Sequence, residues 1–184
     1  MRILTILVSV FFTAFILFFT QGMAEAKIPT KLKVNYHQLS PEAKEQVDCL
    51  AHNIYFEAAQ EPAEGQIAVA FVTYNRMKSG KYPDTYCGVV KQRLGEVCQF
   101  SWWCDAKANY RSTKKLLTTE SNSLYNDVLN RAVHFYVHHD TMKDPSKGAL
   151  FYHADYVNPG WSNMRTTAVV GRHIFYNRVK HKEI

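Results

Sequence analysis

Apolar side chains recur every three or four positions in three stretches of the chain, which is the spacing of one face of an α-helix. The first stretch begins at Ser40-Pro41, where serine is a good N-cap and proline is tolerated at the first helical position. Its apolar stripe consists of Val47, Leu50, Ala51, Ile54 and Ala58. Because Pro62 disfavours a helical residue before it, this helix is predicted to end near Gln60 or Glu61.

The second and third stretches predict two more helices. Residues 63–78 are apolar on nearly every side, which places this helix in the core, and Ser79-Gly80 ends it. The third helix is predicted from Ser121 to His138. Its stripe consists of Leu124, Val128, Ala132 and Phe135.

Two stretches near the C-terminus have the β-branched and aromatic residues that are typical of strands. They run from Ala149 to His153 and from Ala168 to Asn177, and Asn158-Pro159-Gly160 separates them. Residues 81–111, in contrast, are predicted to be rich in loops. Together these patterns predict the α+β class, as a mostly helical single domain with a small C-terminal β region.

The N-terminal segment has the pattern of a secretory signal peptide. A positive charge at Arg2 precedes an apolar run from Ile3 to Phe19, and Ala24-Glu25-Ala26 has the small residues that a signal peptidase recognises. The run is long for a signal peptide, so a retained N-terminal membrane tether is the alternative. The predicted segments are a signal peptide at 1–26, a polar lead-in at 27–40 and the folded domain at 41–184.

Four cysteines follow the predicted signal peptide, and an even number in an exported domain predicts disulfides. Three pairings can be drawn. We favour Cys98–Cys104, which closes a short loop, together with Cys49–Cys87. Zinc binding competes with this hypothesis, but no pair has the C-x-x-C spacing of a zinc knuckle. We therefore expect an exported protein of the periplasm or cell envelope.

The net charge of +6 suits an anionic partner, such as cell-wall polymer, a membrane surface or nucleic acid. Lysine and arginine are spread along the chain, so a basic protein without a charge-driven partner fits equally well. His134 and His138 stand four residues apart on the third helix and could chelate a metal ion. The zinc-protease pattern needs glutamate before the second histidine, and Val137 stands there. We predict no metal site and no cofactor.

Glu57 is the candidate catalytic residue on the first helix. It lies three residues after Ile54 and seven after Leu50, so it borders the buried stripe. A carboxyl group at the edge of an apolar surface loses hydration, which raises its pKa. A glutamate that stays protonated near neutral pH can donate a proton to a leaving glycosidic oxygen. On position alone, a helix glutamate without a catalytic role is the commoner case.

The segment from Asn53 to Arg76 resembles the start of the SleB/CwlJ-type cell-wall hydrolase domain. That domain opens with a helix carrying E-A-x-G-E, then has G-Q-x-A-V-A and an N-R pair. Here the first motif is Glu57-Ala-Ala-Gln-Glu61, and the departure at Gln60 is expected to change only the local turn. Four later stretches match in order: Tyr82–Val90, Gln99–Ser101 (Q-F-S), Asp144–Tyr152 (D-P-x-x-G-A) and Gly171–Phe175 (G-x-H-x-F).

The resemblance, which covers about residues 48–176, implies a lysozyme-like fold that acts on peptidoglycan, with Glu57 as its catalytic acid. Glu61 follows at i+4, and Pro62 leaves its direction open, so a structural role is as compatible as a catalytic one. The loop from Gln99 to Trp103 combines aromatic rings with an amide and a hydroxyl, which suits a sugar; a hydrophobic plug is the alternative. The predicted substrate-binding residues are Glu61, Gln99, Ser101, Trp102, Trp103, Tyr152 and His173.

The predicted function is cleavage of the MurNAc–GlcNAc β-1,4 bond in peptidoglycan glycan strands. We see no aspartate placed as the second carboxylate of an ordinary glycosidase, which favours a lytic transglycosylase over a hydrolytic muramidase. One rival is a non-catalytic peptidoglycan-binding module of an envelope assembly, and another is an amidase or peptidase. We expect a monomer that does not bind nucleic acid.

Overall fold

The computed structural model describes residues 34–105 and 123–179, and the predicted signal peptide lies outside them. The first half contains helices α1 (Pro41–Ala58), α2 (Ala63–Lys78) and α3 (Tyr86–Val90), then strands β1 (Arg93–Leu94) and β2 (Val97–Cys98). The second half contains α4 (Ser123–His138) and strands β3 (Phe151–Ala154), β4 (Met164–Val170) and β5 (His173–Arg178). Short 3₁₀ helices lie at Tyr36–Gln38 and His139–Thr141, and a helical turn at residues 101–105.

The predicted class is confirmed, because helices dominate the described residues and the larger sheet is C-terminal. The sequence also predicted the boundaries of α2 and the start of α1, where the Ser40 hydroxyl accepts a hydrogen bond from Ala43 N at 3.2 Å. The end of α1 comes earlier than predicted, at Ala58, because Glu61 N bonds to Ala58 O and closes a turn ahead of Pro62. None of the helices in residues 34–105 and 123–179 combines the length and the apolar character that a membrane span requires.

The main core lies where α1, α2 and α4 pack together. Phe135 of α4 is fully buried, and its ring contacts those of Phe71, Tyr74 and Tyr86. Both predicted disulfides are present: Cys49–Cys87 ties α1 to α3, and Cys98–Cys104 ties β2 to the helical turn at residues 101–105. The start of the third helix at Ser121 lies outside the described residues.

Two predictions about secondary structure were wrong. Residues 81–105 include α3 and the β1–β2 hairpin as well as loops, and the Thr85 hydroxyl caps α3 by accepting a bond from Gly88 N. The stretch predicted as one strand, Ala168–Asn177, forms parts of β4 and β5 with a turn at Gly171 between them. The β-forming residues on both sides hide this turn, which Gly171 makes with a φ of +57°.

A second core joins the C-terminal sheet to the first two helices. The sheet has the order β3-β5-β4 with antiparallel pairs. Its inner face packs on α1 and α2 through Ala58, Ala68, Val69, Val72, Ala149 and Phe175. This packing places β3 beside the last turn of α1, which contains Glu57.

Candidate active site

Glu57 lies partly buried at the end of α1 and is held by β3. The Tyr152 hydroxyl donates a hydrogen bond to Glu57 Oε2 at 3.0 Å. Burial raises the pKa of Glu57 above its ordinary value, while the Tyr152 bond and the Arg76 cation act in the opposite direction. The sequence argument predicted this raised pKa from the position of Glu57 beside the apolar stripe. A carboxyl group in this setting can hold a proton at a pH where an exposed glutamate has lost it.

Arg76 is a buried cation behind this carboxyl group. It belongs to the last turn of α2 and is only 4% exposed. Its Nε donates to Leu150 O at 2.8 Å, and its guanidinium lies over the rings of Tyr82 and Phe100. In the sequence, Arg76 stands out only as part of the N-R motif. The last turn of α2 has two cations, Arg76 and Lys78, and Arg76 is the one that follows the apolar stripe closely enough to be buried.

The aromatic loop, Gln99–Trp103, reaches the helix turn next to Glu57 through Trp102. The Trp102 ring stacks on Phe56 with centroids 4.7 Å apart, and its Nε1 donates to Asn53 Oδ1 at 3.1 Å. Asn53 is fully buried, whereas Phe56 is 39% exposed. Phe56 and Trp102 together form an aromatic surface beside Glu57. Sequence reasoning missed Phe56 and Asn53, although a polar residue within an apolar helix stripe is a usable signal.

Glu61 connects α1 to the sheet. Its Oε2 accepts a hydrogen bond from Arg172 N at 2.8 Å and lies 4.0 Å from His173 Nδ1. His173 is 6% exposed and packs edge-on against Tyr152. Burial lowers the pKa of His173, against the raising effect of the Glu61 carboxylate. Glu61 therefore anchors the turn between β4 and β5. Contact of Glu61 or His173 with substrate stays a prediction.

Gly171→Ala tests this anchor and is expected to destabilise the fold by about 2–3 kcal/mol. An added Cβ would overlap Glu61 Oε2, and the positive φ of Gly171 adds about 1–2 kcal/mol for any other residue. Gly80→Ala is the control, because Gly80 also has a positive φ but has open space around it. Urea unfolding should show the larger loss for Gly171→Ala. Equal losses would mean that Glu61 yields freely and does not anchor the turn.

Gln99 and Ser101 precede Trp102 in the same loop. Gln99 N bonds to Gln92 O at 2.9 Å, and Ser101 is exposed at the start of the helical turn. Their contact with substrate stays a prediction.

The rings of His134 and His138 lie 4.9 Å apart on α4. The described residues contain no group of three or more histidine, cysteine or acidic side chains suited to a metal ion.

The family model of the cell wall hydrolases matches residues 60–176. This chain belongs to the cell wall hydrolase family. The match confirms the resemblance seen in the sequence and spans α2, the aromatic loop and the C-terminal sheet. The match begins three residues after Glu57 and therefore does not include it. A catalytic role for Glu57 stays a prediction.

Several relatives of this chain are named as spore cortex-lytic enzymes, and two of them match it over most of its length. The protein from Oceanobacillus iheyensis is 31% identical over 131 residues, which cover 70% of this chain and 40% of the relative. The protein from Halalkalibacterium halodurans is 30% identical over 133 residues, covering 71% of this chain and 34% of the relative. The chain therefore spans less than half the length of these relatives.

Two solved structures are also similar to this chain. The catalytic domain of Bacillus cereus SleB is 20% identical, covers 85% of this chain and all of that domain, and has a TM-score of 0.46. The catalytic domain of the germination-specific lytic transglycosylase SleB from Bacillus anthracis is 24% identical, with a TM-score of 0.47. That alignment covers 76% of this chain and 98% of the domain.

Proposed function

We propose that this protein is a peptidoglycan-degrading enzyme that cuts the MurNAc–GlcNAc β-1,4 bond with Glu57 as its general acid. The observation that carries the proposal is a partly buried carboxyl group whose pKa is raised by burial, beside the aromatic surface of Phe56 and Trp102. Membership of the cell wall hydrolase family supports it, and so do relatives whose names describe lysis of spore cortex.

In the proposed reaction, Glu57 donates its proton to the leaving glycosidic oxygen while the C1–O bond breaks. The resulting carboxylate is stabilised by the Tyr152 hydroxyl, which already donates to Oε2, and by the nearby Arg76 cation. An oxocarbenium-like centre forms at C1 and is captured by the C6 hydroxyl of the same sugar. Glu57 takes the proton of that hydroxyl, which leaves a 1,6-anhydro end and restores the acid.

The setting of Glu61 supports the transglycosylase outcome. An ordinary glycosidase needs a second carboxylate as nucleophile or as base for water. Glu61 follows four residues after Glu57, beyond the end of α1, and its Oε2 is bonded to Arg172 N and lies under the β4–β5 turn. A carboxylate engaged in this way is poorly placed to serve as that second group. Capture by water, as in a hydrolytic muramidase, remains the alternative outcome.

Tyr152→Phe is expected to shift the alkaline limb of the pH–rate profile to higher pH. The acid must be protonated to act, so activity falls as pH rises through the pKa of Glu57. The Tyr152 hydrogen bond favours the charged carboxylate and lowers that pKa, so its removal raises it. Profiles of wall lysis for both proteins, measured at constant ionic strength, give the shift. A limb that stays in place or moves to lower pH would separate Tyr152 from the acid.

The substrate and the disulfides favour an exported protein. Peptidoglycan lies outside the cytoplasmic membrane, and the pairs Cys49–Cys87 and Cys98–Cys104 suit an oxidising compartment. Export through the predicted signal peptide, the site of its cleavage and a monomeric state are part of the proposal.

The proposal is tested first by adding the purified protein to a turbid suspension of purified peptidoglycan. An enzyme should clear the suspension and release soluble fragments at catalytic amounts of protein. Retention on the insoluble wall without any clearing would favour the rival function, a binding module.

A further inference from the structure

A basic cavity of about 1390 Å³ lies at the end of the C-terminal sheet, away from the β4–β5 turn. Its walls come from the end of α2, the β1–β2 hairpin and the strand ends near Phe151 and Asn177. The described lining includes five cations and no carboxylate: Lys78, Lys81, Arg93, Arg165 and Arg178.

The carboxylates near this cavity leave most of the positive charge uncompensated. Glu96 pairs with Arg93 at 3.1 Å. Asp144 already accepts hydrogen bonds from the backbone N–H groups of Ser146 and Gly148 and from the side chain of Asn75. Several cations on one concave surface create a positive electrostatic potential in the cavity, which favours an anionic ligand.

Apolar side chains in the same cavity favour an anion that also has apolar groups. Leu94 and Val97 of the hairpin are 87% and 71% exposed, and Phe151 lies under the guanidinium of Arg178. A short peptide with free carboxylates combines small apolar groups with negative charge and therefore suits this lining. A phosphodiester polymer offers charge but little apolar surface.

The cavity lies close to Glu57 through β3 and through Leu150, which directly precedes it. Leu150 lines the cavity, and its carbonyl oxygen accepts the bond from Arg76. Tyr152 is two residues further along the chain and bonds to Glu57, a separation of about 7 Å in an extended strand. The loop that contains Gln99 in the cavity wall also reaches Glu57's neighbour Phe56 through Trp102.

We propose that this cavity binds carboxylates of the stem peptides attached to the glycan strand that Glu57 cuts. This inference rests on the proposed function, because it assumes that peptidoglycan is the ligand. The sugar backbone is largely uncharged, whereas stem peptides have free carboxylates that the planar guanidinium groups of Arg165 and Arg178 can bind in a bidentate manner. The enzyme would thereby prefer strands that still have their peptides.

The test measures retention on insoluble peptidoglycan at low salt, in a Glu57→Gln background so that the wall stays intact. Arg165→Gln with Arg178→Gln should weaken retention by about tenfold, the effect of losing two partly screened ion pairs. The control, Lys44→Gln with Lys143→Gln, removes the same charge. It should stay within about twofold because both lysines lie outside the cavity. Circular dichroism verifies that each variant is folded.

Two chemically altered walls complete the experiment. On a wall whose carboxyl groups have been converted to amides, the difference between the cavity variant and its control should vanish. On a wall freed of phosphodiester polymers, the difference should persist. Three results would overturn the assignment. The cavity variant could bind the native wall as well as its control does, or it could lose as much retention on the amidated wall as on the native wall. The third is a loss that is absent on the wall freed of phosphodiester polymers. Clearing of peptidoglycan by the unaltered protein is scored separately, so failure here leaves the proposed function standing.

Discussion

Replacing Glu57 by glutamine is expected to lower the rate of wall lysis by roughly a hundred- to ten-thousand-fold, the usual contribution of a general acid. Glutamine keeps the shape of the side chain and can still accept the Tyr152 bond through its amide oxygen. It has no proton to transfer to a leaving oxygen. Retention on insoluble peptidoglycan should therefore persist while clearing is lost.

Glu61→Gln is the matched control for this change. The Glu61 carboxylate accepts a bond from Arg172 N, and an amide oxygen can accept the same bond. Lysis should therefore fall much less than in Glu57→Gln, with any loss appearing mainly in stability. If Glu57→Gln clears the wall at the unaltered rate, the acid lies elsewhere, and Glu61 is the first candidate.

Trp102→Ala is expected to destabilise the fold by about 3 kcal/mol, since it removes a large packed ring and leaves a buried amide without its donor. The ring covers Phe56 and packs against the buried cluster of Val89, Val90 and Phe100. Its Nε1 supplies the bond to Asn53 Oδ1. The measurement is urea unfolding at neutral pH, with the disulfides intact.

Two further variants separate the parts of this effect. Trp102→Phe keeps an aromatic ring on Phe56 but loses the bond to Asn53, so it should cost about 1–2 kcal/mol. Trp103→Ala removes an edge contact with Trp102 and a cation contact with Lys91, so its cost should stay below about 1 kcal/mol. Similar losses for the two alanine variants would contradict the packing role of Trp102.

The same variants test the prediction that both tryptophans hold glycan. Trp103→Ala is the sharper probe, because its small effect on stability leaves the fold intact. Reduced retention on peptidoglycan by folded Trp103→Ala protein would support sugar contact. Unchanged retention would assign Trp103 to packing and leave Trp102 with Phe56 as the candidate sugar contact.

The long helices were predictable because each has apolar residues at helical spacing that pack into a core. Ser40-Pro41 and Gly80 mark element ends through local backbone chemistry, which a sequence displays directly. The short helix α3 was missed, since five residues are too few to show a helical period. The turn at Gly171 was missed because strand-forming residues lie on both sides of it.

The site was predictable only in part. The partial burial of Glu57 follows from its place on the helix, and that was enough to predict a raised pKa. Its partners come from distant parts of the chain: Tyr152 lies 95 residues away, and Trp102 lies 49 residues from Asn53. Contacts of this kind depend on how the sheet and the loop pack on α1, which no local pattern encodes.

Mass analysis of the fragments released from purified peptidoglycan decides whether Glu57 acts on a glycosidic bond. The expected products are muropeptides cut between MurNAc and GlcNAc, with 1,6-anhydro ends on the MurNAc residues and none released by Glu57→Gln protein. Reducing MurNAc ends would keep Glu57 as the acid but replace the C6 hydroxyl with water. Released peptides beside intact glycan strands would contradict the account, because they would show that an amide bond is the one broken.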